Sequence, residues 1–252
     1  MNARALRRDR AARNGVELFL YERAFADCLE RIALIGRKFE RALLLGCPDP
    51  HWPEHLREFT HQIDVRDPGC KFAGAAGGKA LVEDAWEPPA GAFDLVLAVG
   101  TLDTVNALPV ALRLIHYAMR GDALFIGALS GGNTLPQLRS AMRAADAVAG
   151  AAAPHVHPRI EASALAPLLA DSRFVRPVVD VDRVAVNYPS LERMVADLRH
   201  MGATNVLSAR PRFVGQVARA AAIRAFAEAG DGSRTRETFE ILHFAAWTAA
   251  NG

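Results

Sequence analysis

The chain is short of lysine, cysteine and long apolar runs, and each shortage narrows what it can be. Among 30 basic residues only Lys38, Lys71 and Lys79 are lysines, a skew toward arginine that we ascribe to coding bias. Against 28 acidic residues the formal net charge is +2, which gives no electrostatic footprint for nucleic acid. Cys28, Cys47 and Cys70 are widely spaced and without C-x-x-C. That pattern suits a reducing compartment and excludes a disulfide scaffold and a cysteine zinc site. No stretch approaches the ~20 consecutive apolar residues of a membrane-spanning helix. No internal repeat is visible, and no G-x-G-x-x-G follows the first strand, which argues against a dinucleotide-dependent dehydrogenase.

What is present is ample core material: 252 residues, 51% of them hydrophobic and 23% charged. A chain of this length buries roughly 70–75% of its unfolded surface. Its first half alternates helix and strand signals. Leu18, Tyr21, Phe25, Leu29 and Ile32 stand at helical spacing within 17–36. A strand over 41–46 follows, then a short proline-opened helix around Glu54 to Phe59, and a second strand ending at Gln62-Ile63-Asp64-Val65. The Gly/Ala stretch 73–78 has no clear period. Leu81-Val82 reads as a short strand ending near Asp84, and Phe93 to Val99 as a buried one. Ala107 to Met119 reads as a helix with Asn106 as N-cap and Gly121 past its end. Ala123 to Leu129 is a fifth strand. Such alternation predicts a doubly wound, mostly parallel sheet with helices on both faces.

In the second half Thr134-Leu-Pro-Gln137 reads as a capping box opening a helix to about Ala149. An Ala/Gly linker at 149–153 precedes a helix over Ser163 to Leu169 and a strand over Val178 to Val186. Ser190 caps an amphipathic helix whose Leu191, Met194, Val195, Leu198 and Met201 share a face, closed by Gly202. Phe239 to Trp247 is a C-terminal strand with apolar residues on both faces. The last two strands can pair as an antiparallel edge.

This layout resembles that of the class I S-adenosylmethionine-dependent methyltransferases, a Rossmann-like α/β fold of seven strands, here with C-terminal helical insertions. Phe93-Asp94-Leu95-Val96 is similar to the family's fourth-strand entry, and Arg120-Gly121-Asp122-Ala123-Leu124 to its turn into the fifth. The segments GALSGGNTLPQLRSAMRAAD, PVVDVDRVAVNYPSLERMVADLRHMGATN and TFEILHFAAW resemble, more narrowly, the methyltransferase-like assembly factors of respiratory complex I and their bacterial relatives. Malonyl-carrier-protein methyltransferases are more distant kin. The resemblance runs from Arg8 to Trp247. It implies a single domain, with an N-terminal helical region at 1–36, a cofactor-binding half at 37–130 and a substrate or partner half at 131–252. It also implies S-adenosylmethionine as cofactor, with Gly46 at the end of the first strand, Asp64 on the ribose and Asp84 near the adenine. The partner implied is a protein substrate, a complex I subunit, and the mitochondrial branch of the family is linked to hydroxylation of an arginine there.

The chain departs from the family at the cofactor loop. Relatives read acid-Leu-Gly-Cys-x-x-Gly, whereas Leu44 replaces the acid, Pro48 enters the loop and Pro50 takes the final glycine position. Proline fixes φ and removes an N–H. This degenerate motif sets two functions against each other: a methyltransferase acting on a protein side chain, or a cofactor-deficient assembly chaperone of the same fold. Arginine hydroxylation is a third reading, by analogy with the family. No residue stands out as a catalytic base, and Leu102-Asp103-Thr104 replaces the family's His-Trp.

The remaining candidates carry ordinary structural readings. His51 and His55 are separated by Pro53, and His155 and His157 lie in a turn, so no metal site is expected. Tyr188 either bounds a substrate pocket or packs in the core. Asp180, Asp182 and Arg183 read as a solvated strand edge. The arginines at 4–13, 210, 212 and 219 are expected to solvate the surface. Asp9 and Glu17, set among Arg4, Arg7, Arg8, Arg10 and Arg13, favour an exposed amphipathic helix over a mitochondrial presequence. The bacterial cytoplasm is accordingly favoured over the mitochondrial matrix.

Overall fold

The structure, a computed structural model, describes residues 3–14, 17–207 and 214–250. Its centre is a sheet of β1 (Phe39–Leu45), β2 (Thr60–Asp67), β3 (Lys79–Ala80), β4 (Phe93–Val99), β5 (Met119–Ser130), β6 (Val175–Tyr188) and β7 (Thr235–Trp247). These seven run in the order β3-β2-β1-β4-β5-β7-β6. The first five pair in parallel; β7 lies antiparallel to β5, and β6 antiparallel to β7. The sheet is doubly wound and mostly parallel, as the alternation predicts, and has the class I methyltransferase arrangement that the resemblance implies.

Side chains alternate across a strand, so each central strand feeds two apolar layers. Ala42, Leu44, Leu95, Leu97, Leu124 and Ile126 face α2 (Phe19–Ile35), α3 (Trp52–Leu56), α6 (Pro136–Ala149), α8 (Leu191–His200) and α9 (Gln216–Glu228). Leu43, Leu45, Val96, Ala98 and Phe125 face α5 (Leu108–Ala118) and α7 (Ala162–Asp171). All seven residues of β4 are buried, as befits a parallel strand covered on both sides. At the β3 side, α1 (Ala3–Asn14) lies against α4 (Cys70–Ala75) and α8.

Several boundaries differ from expectation. β2 does not stop at Val65 but continues to Asp67, and β3 is Lys79–Ala80, just before Leu81-Val82. The aperiodic Gly/Ala stretch carries the end of α4, and α9 was not expected at all, since its face of Ala218, Ala221, Ala222 and Phe226 is nearly all alanine. Asn106 does not cap α5; the Ala107 N–H donates instead to Asp84 Oδ2 at 2.9 Å. Gly121 lies within β5 rather than in a loop. Ser190 does cap α8, its Oγ accepting from the Arg193 N–H at 3.2 Å.

The capping box at the start of α6 is not formed. Thr134 Oγ1 bonds to the Glu240 backbone, and the carboxylate of Glu237, on β7, accepts from the Gln137 and Leu138 N–H groups at 3.3 and 2.9 Å. Helix N-terminal N–H groups need acceptors, and a buried end takes them from whatever packs there. Glu237 is itself fully buried, and burial raises its pKa while the backbone N–H groups pull it back. Its folded state therefore holds the proton more readily than the unfolded chain, a contribution present at acid pH and lost as pH rises through the folded pKa. Comparing Glu237→Gln with the parent by urea denaturation, the stability difference should move in the variant's favour between about pH 4 and about pH 7. A flat difference would contradict the burial effect. Glu237→Ala, which strips α6 of its cap, should cost about 1–3 kcal/mol.

Candidate functional site

Strand order reverses between β1 and β4, and in open α/β sheets ligands bind outside the carboxyl ends of the strands at such a point. Gly46 leaves β1 there with φ +86°. A Cβ at this position would lie 2.2 Å from the Val99 carbonyl oxygen and 2.6 Å from Thr101 Cγ2. The glycine thus admits the chain's own backbone at the end of β4. Pro48 is buried and Pro50 exposed; both border a surface groove with Ala12, Arg13, Cys70 and Phe72. Leu44 is fully buried in the apolar layer.

Because β2 extends to Asp67, the carboxylate at its end is not Asp64. Asp64 sits three residues earlier, opposite Leu43 in register, half-buried and paired with Arg41 Nη2 at 2.7 Å. Three residues along a strand also reverse the side to which a side chain points. Asp67 is fully buried. Its Oδ1 accepts from Arg8 Nε and the Gly69 N–H, both at 2.7 Å, and its Oδ2 from Arg8 Nη2 at 2.5 Å and the Cys47 N–H at 2.9 Å. A carboxylate offers about four lone-pair sites. All of them are taken.

The same pattern repeats beyond β3. Asp84 caps α5, while its neighbour Glu83 is buried and receives Arg4 Nη1 at 2.7 Å and Nη2 at 2.9 Å. Arg4 also donates to the Thr101 carbonyl and to Thr104 Oγ1, and Arg8 Nη1 to the Gly100 carbonyl at 3.2 Å. The expectation that all the arginines of 4–13 solvate the surface is therefore wrong for Arg4 and Arg8, which are about 5% exposed. Arg10 and Arg13 are exposed, Arg219 is exposed beside Glu192, and Arg210 and Arg212 lie outside the described residues. Burial works against the charge on Arg8, but the Asp67 carboxylate overrides it and the guanidinium pKa is raised.

Past the end of β4, Asp103 pairs with Arg159, and both border a cavity of about 50 Å³ with Tyr21, Thr134 and Glu240. Burial, then the charge of Asp103, pushes the Tyr21 phenol up to about 12. A second space of about 20 Å³ is bordered by Arg4, Arg8, Tyr21, Gly100 and Asp103. Ligand pockets usually enclose roughly 300–1,000 Å³. Neither of these two spaces has room for a nucleoside with α1 in place; an open groove of about 550 Å³ lies beside them, bordered by Arg4, Asp84, Leu102 and Asn106.

The other candidates fall outside this edge. Tyr188 is buried and packs edge-on against Phe239 at 6.4 Å. Asp180 and Asp182 bind Arg31 and Arg23 of α2, and Arg183 binds the buried Glu240. His155 bonds Asp146 at 2.7 Å, and among the described residues no group of three His, Cys, Asp or Glu side chains could hold a metal ion.

No protein-family model matches the chain. It is 32% identical over 241 residues to arginine-hydroxylase NDUFAF5, mitochondrial, of Rattus norvegicus, covering 91% of this chain and 70% of that protein. It is 29% identical over 161 residues to the malonyl-[acyl-carrier protein] O-methyltransferase of Laribacter hongkongensis, covering 64% of this chain and 52% of that enzyme. Among solved structures, the YcgJ protein of Bacillus subtilis superposes with a TM-score of 0.62 at 11% identity, over 90% of this chain and all of that one. The Haemonchus contortus phosphoethanolamine N-methyltransferase 2, in complex with S-adenosylhomocysteine, gives 0.54 at 11% identity, over 89% of this chain and 52% of that one.

Removing one partner of a buried ion pair strands the other charge, at a cost of about 3–5 kcal/mol. Arg8→Met should lose stability on that scale in urea denaturation. Adding Asp67→Asn should recover part of the loss. Equal losses in the single and double variants would show that the pair is not coupled as the geometry requires.

Proposed function

The chain belongs to the family of the NDUFAF5 arginine-hydroxylases, proteins of the class I methyltransferase fold, and on that premise we propose that it acts on a protein side chain during assembly of a respiratory complex. The observation that carries the cofactor part of this reading is the buried carboxylate of Asp67, which accepts from the Cys47 N–H next to Gly46 at the sheet's switch point. A carboxylate at the end of β2 matches the vicinal hydroxyls of a ribose, the logic of dinucleotide folds. We therefore infer S-adenosylmethionine as the cofactor and assign the ribose to Asp67 in place of Asp64. Gly46 stays in the proposed site as the point of closest backbone approach. Asp84 stays as a wall of the open groove beside Leu102 and Asn106. The sheet draws strands from 37–130 and from 131–252, which supports one domain with a cofactor half and a partner half.

A second reading, the cofactor-deficient assembly chaperone, is favoured by one specific observation: the Asp67 and Glu83 carboxylates are already held by Arg8 and Arg4. Arginine hydroxylation is supported by the name of the relatives alone. The partner we propose is a subunit of respiratory complex I. The place of action goes with it, in the bacterial cytoplasm or, as the relatives' name indicates, the mitochondrion. No helix among the described residues is long and apolar enough to cross a membrane.

Calorimetric titration of the full chain with S-adenosylhomocysteine tests the reading. Saturable heat that Asp67→Asn abolishes and Asp64→Asn preserves is the expected result. Heat that survives Asp67→Asn would overturn the assignment of the ribose. No heat at millimolar ligand, in the parent or in a variant freed of Arg4 and Arg8, would leave the chaperone.

A further inference from the structure

We propose that α1 is a displaceable ligand of the chain's own cofactor carboxylate, so that cofactor and helix compete for Asp67, while Glu83 helps to hold the helix through Arg4. The inference rests on the assignment of Asp67 to the cofactor. Its first ground is the hydrogen-bond count: a carboxylate already accepting four bonds, two of them from Arg8, cannot also accept from two ribose hydroxyls. Its second is space, since the cleft beneath Arg4 and Arg8 holds about 20 Å³, enough for a water or so and far below a nucleoside.

How α1 is held makes it removable. Its buried residues are Arg4, Arg8, Asp9 and Ala11, with Leu6 and Ala12 half-buried, so polar contacts outweigh apolar ones in fastening it. Hydrophobic burial is the usual anchor of a helix on a domain, at about 25 cal/mol per Å². Buried ion pairs gain little net of desolvation, because both partners are well solvated once separated. Displacing α1 returns its arginines to water and leaves Asp67 to the incoming ligand. The docking surface is nonetheless specific. A Cβ on Gly69 would lie 2.8 Å from Arg8 Cβ, so a glycine there lets the helix close.

Asp9 offers a way to loosen α1 without touching the cofactor carboxylate. Its side chain accepts from the Lys71 N–H at 2.9 Å and from Cys70 Sγ at 3.1 Å, both on α4. In the full-length protein, Asp9→Ala should bind S-adenosylhomocysteine about tenfold more tightly than the parent, the worth of roughly one to two hydrogen bonds. Trypsin cleavage after Arg10 and Arg13 should accelerate when S-adenosylhomocysteine is added, the reverse of ordinary ligand protection. Equal affinities with α1 cleavage unchanged by the ligand would overturn the competition while keeping the cofactor reading. If neither protein gives heat, the Arg4→Ala/Arg8→Ala double variant, checked for folding by circular dichroism, decides. Binding that appears only there supports the competition; no binding there overturns both the competition and the cofactor reading.

Discussion

The carboxylate of Asp67 is the point on which the carboxyl edge of the sheet depends. Through it the loop after β1 (Cys47 N–H), the turn before α4 (Gly69 N–H) and helix α1 (Arg8) meet at a single buried charge. Arg8 then carries the connection to Gly100, just past the end of β4. Three segments far apart in sequence meet at one carboxylate, and a fourth joins them through Arg8. Charge-assisted hydrogen bonds are roughly twice as strong as neutral ones, which is what allows one side chain to organise so much backbone. Arg4 and Glu83 repeat the device one strand outward and extend it to Thr101 and Thr104.

Much of the fold was legible in the sequence because burial on both faces leaves a plain signature. β4 is apolar nearly throughout and its boundaries, Phe93 and Val99, are those expected. α2 and α8 announce themselves through helical spacing, and α8 through its Ser190 cap. The candidate site was legible only to within a few residues. Asp64 stands between Ile63 and Val65 and Asp67 two residues beyond Val65, and local pattern does not say where the ladder stops. That depends on pairing with β3, at Arg66↔Lys79 and Asp67↔Ala80. Arg4 and Arg8 stand four apart on one helical face with Ala11 close by, a pattern that reads as a solvated stripe. Their partners are 79 and 59 residues away, and no spacing rule spans that distance.

Helix ends failed for the same reason. Asn106 and Thr134 are residue types that cap helices, yet α5 takes its acceptor from Asp84 and α6 from Glu237. The start of β1 follows suit, the Glu40 and Arg41 N–H groups donating to the carboxylate of Asp94 on β4. Where an element's end is exposed, as with Ser190, the local cap prevails. Where it is packed against another strand or loop, a carboxylate from that neighbour displaces it, because a charged acceptor already desolvated must find donors.

That constraint also bears on how the proline-bearing loop after β1 and the arginines of α1 go together. An edge that kept α1 in place without its arginines would leave Asp67 and Glu83 as buried, unpaired carboxylates, each costing several kcal/mol. α1 neutralises both with guanidinium groups whose planar fork fits a carboxylate through two parallel bonds, as Arg4 does on Glu83 and Arg8 on Asp67. On the proposed assignment the arginines are therefore required whenever the cofactor is absent, whether for the protein's lifetime or between encounters. An enzyme and a cofactor-free chaperone built on this chain would share the closed edge described here. They part only in whether the energy of holding a nucleoside exceeds that of holding α1, a balance set by the few polar contacts of one helix and not by the fold beneath it.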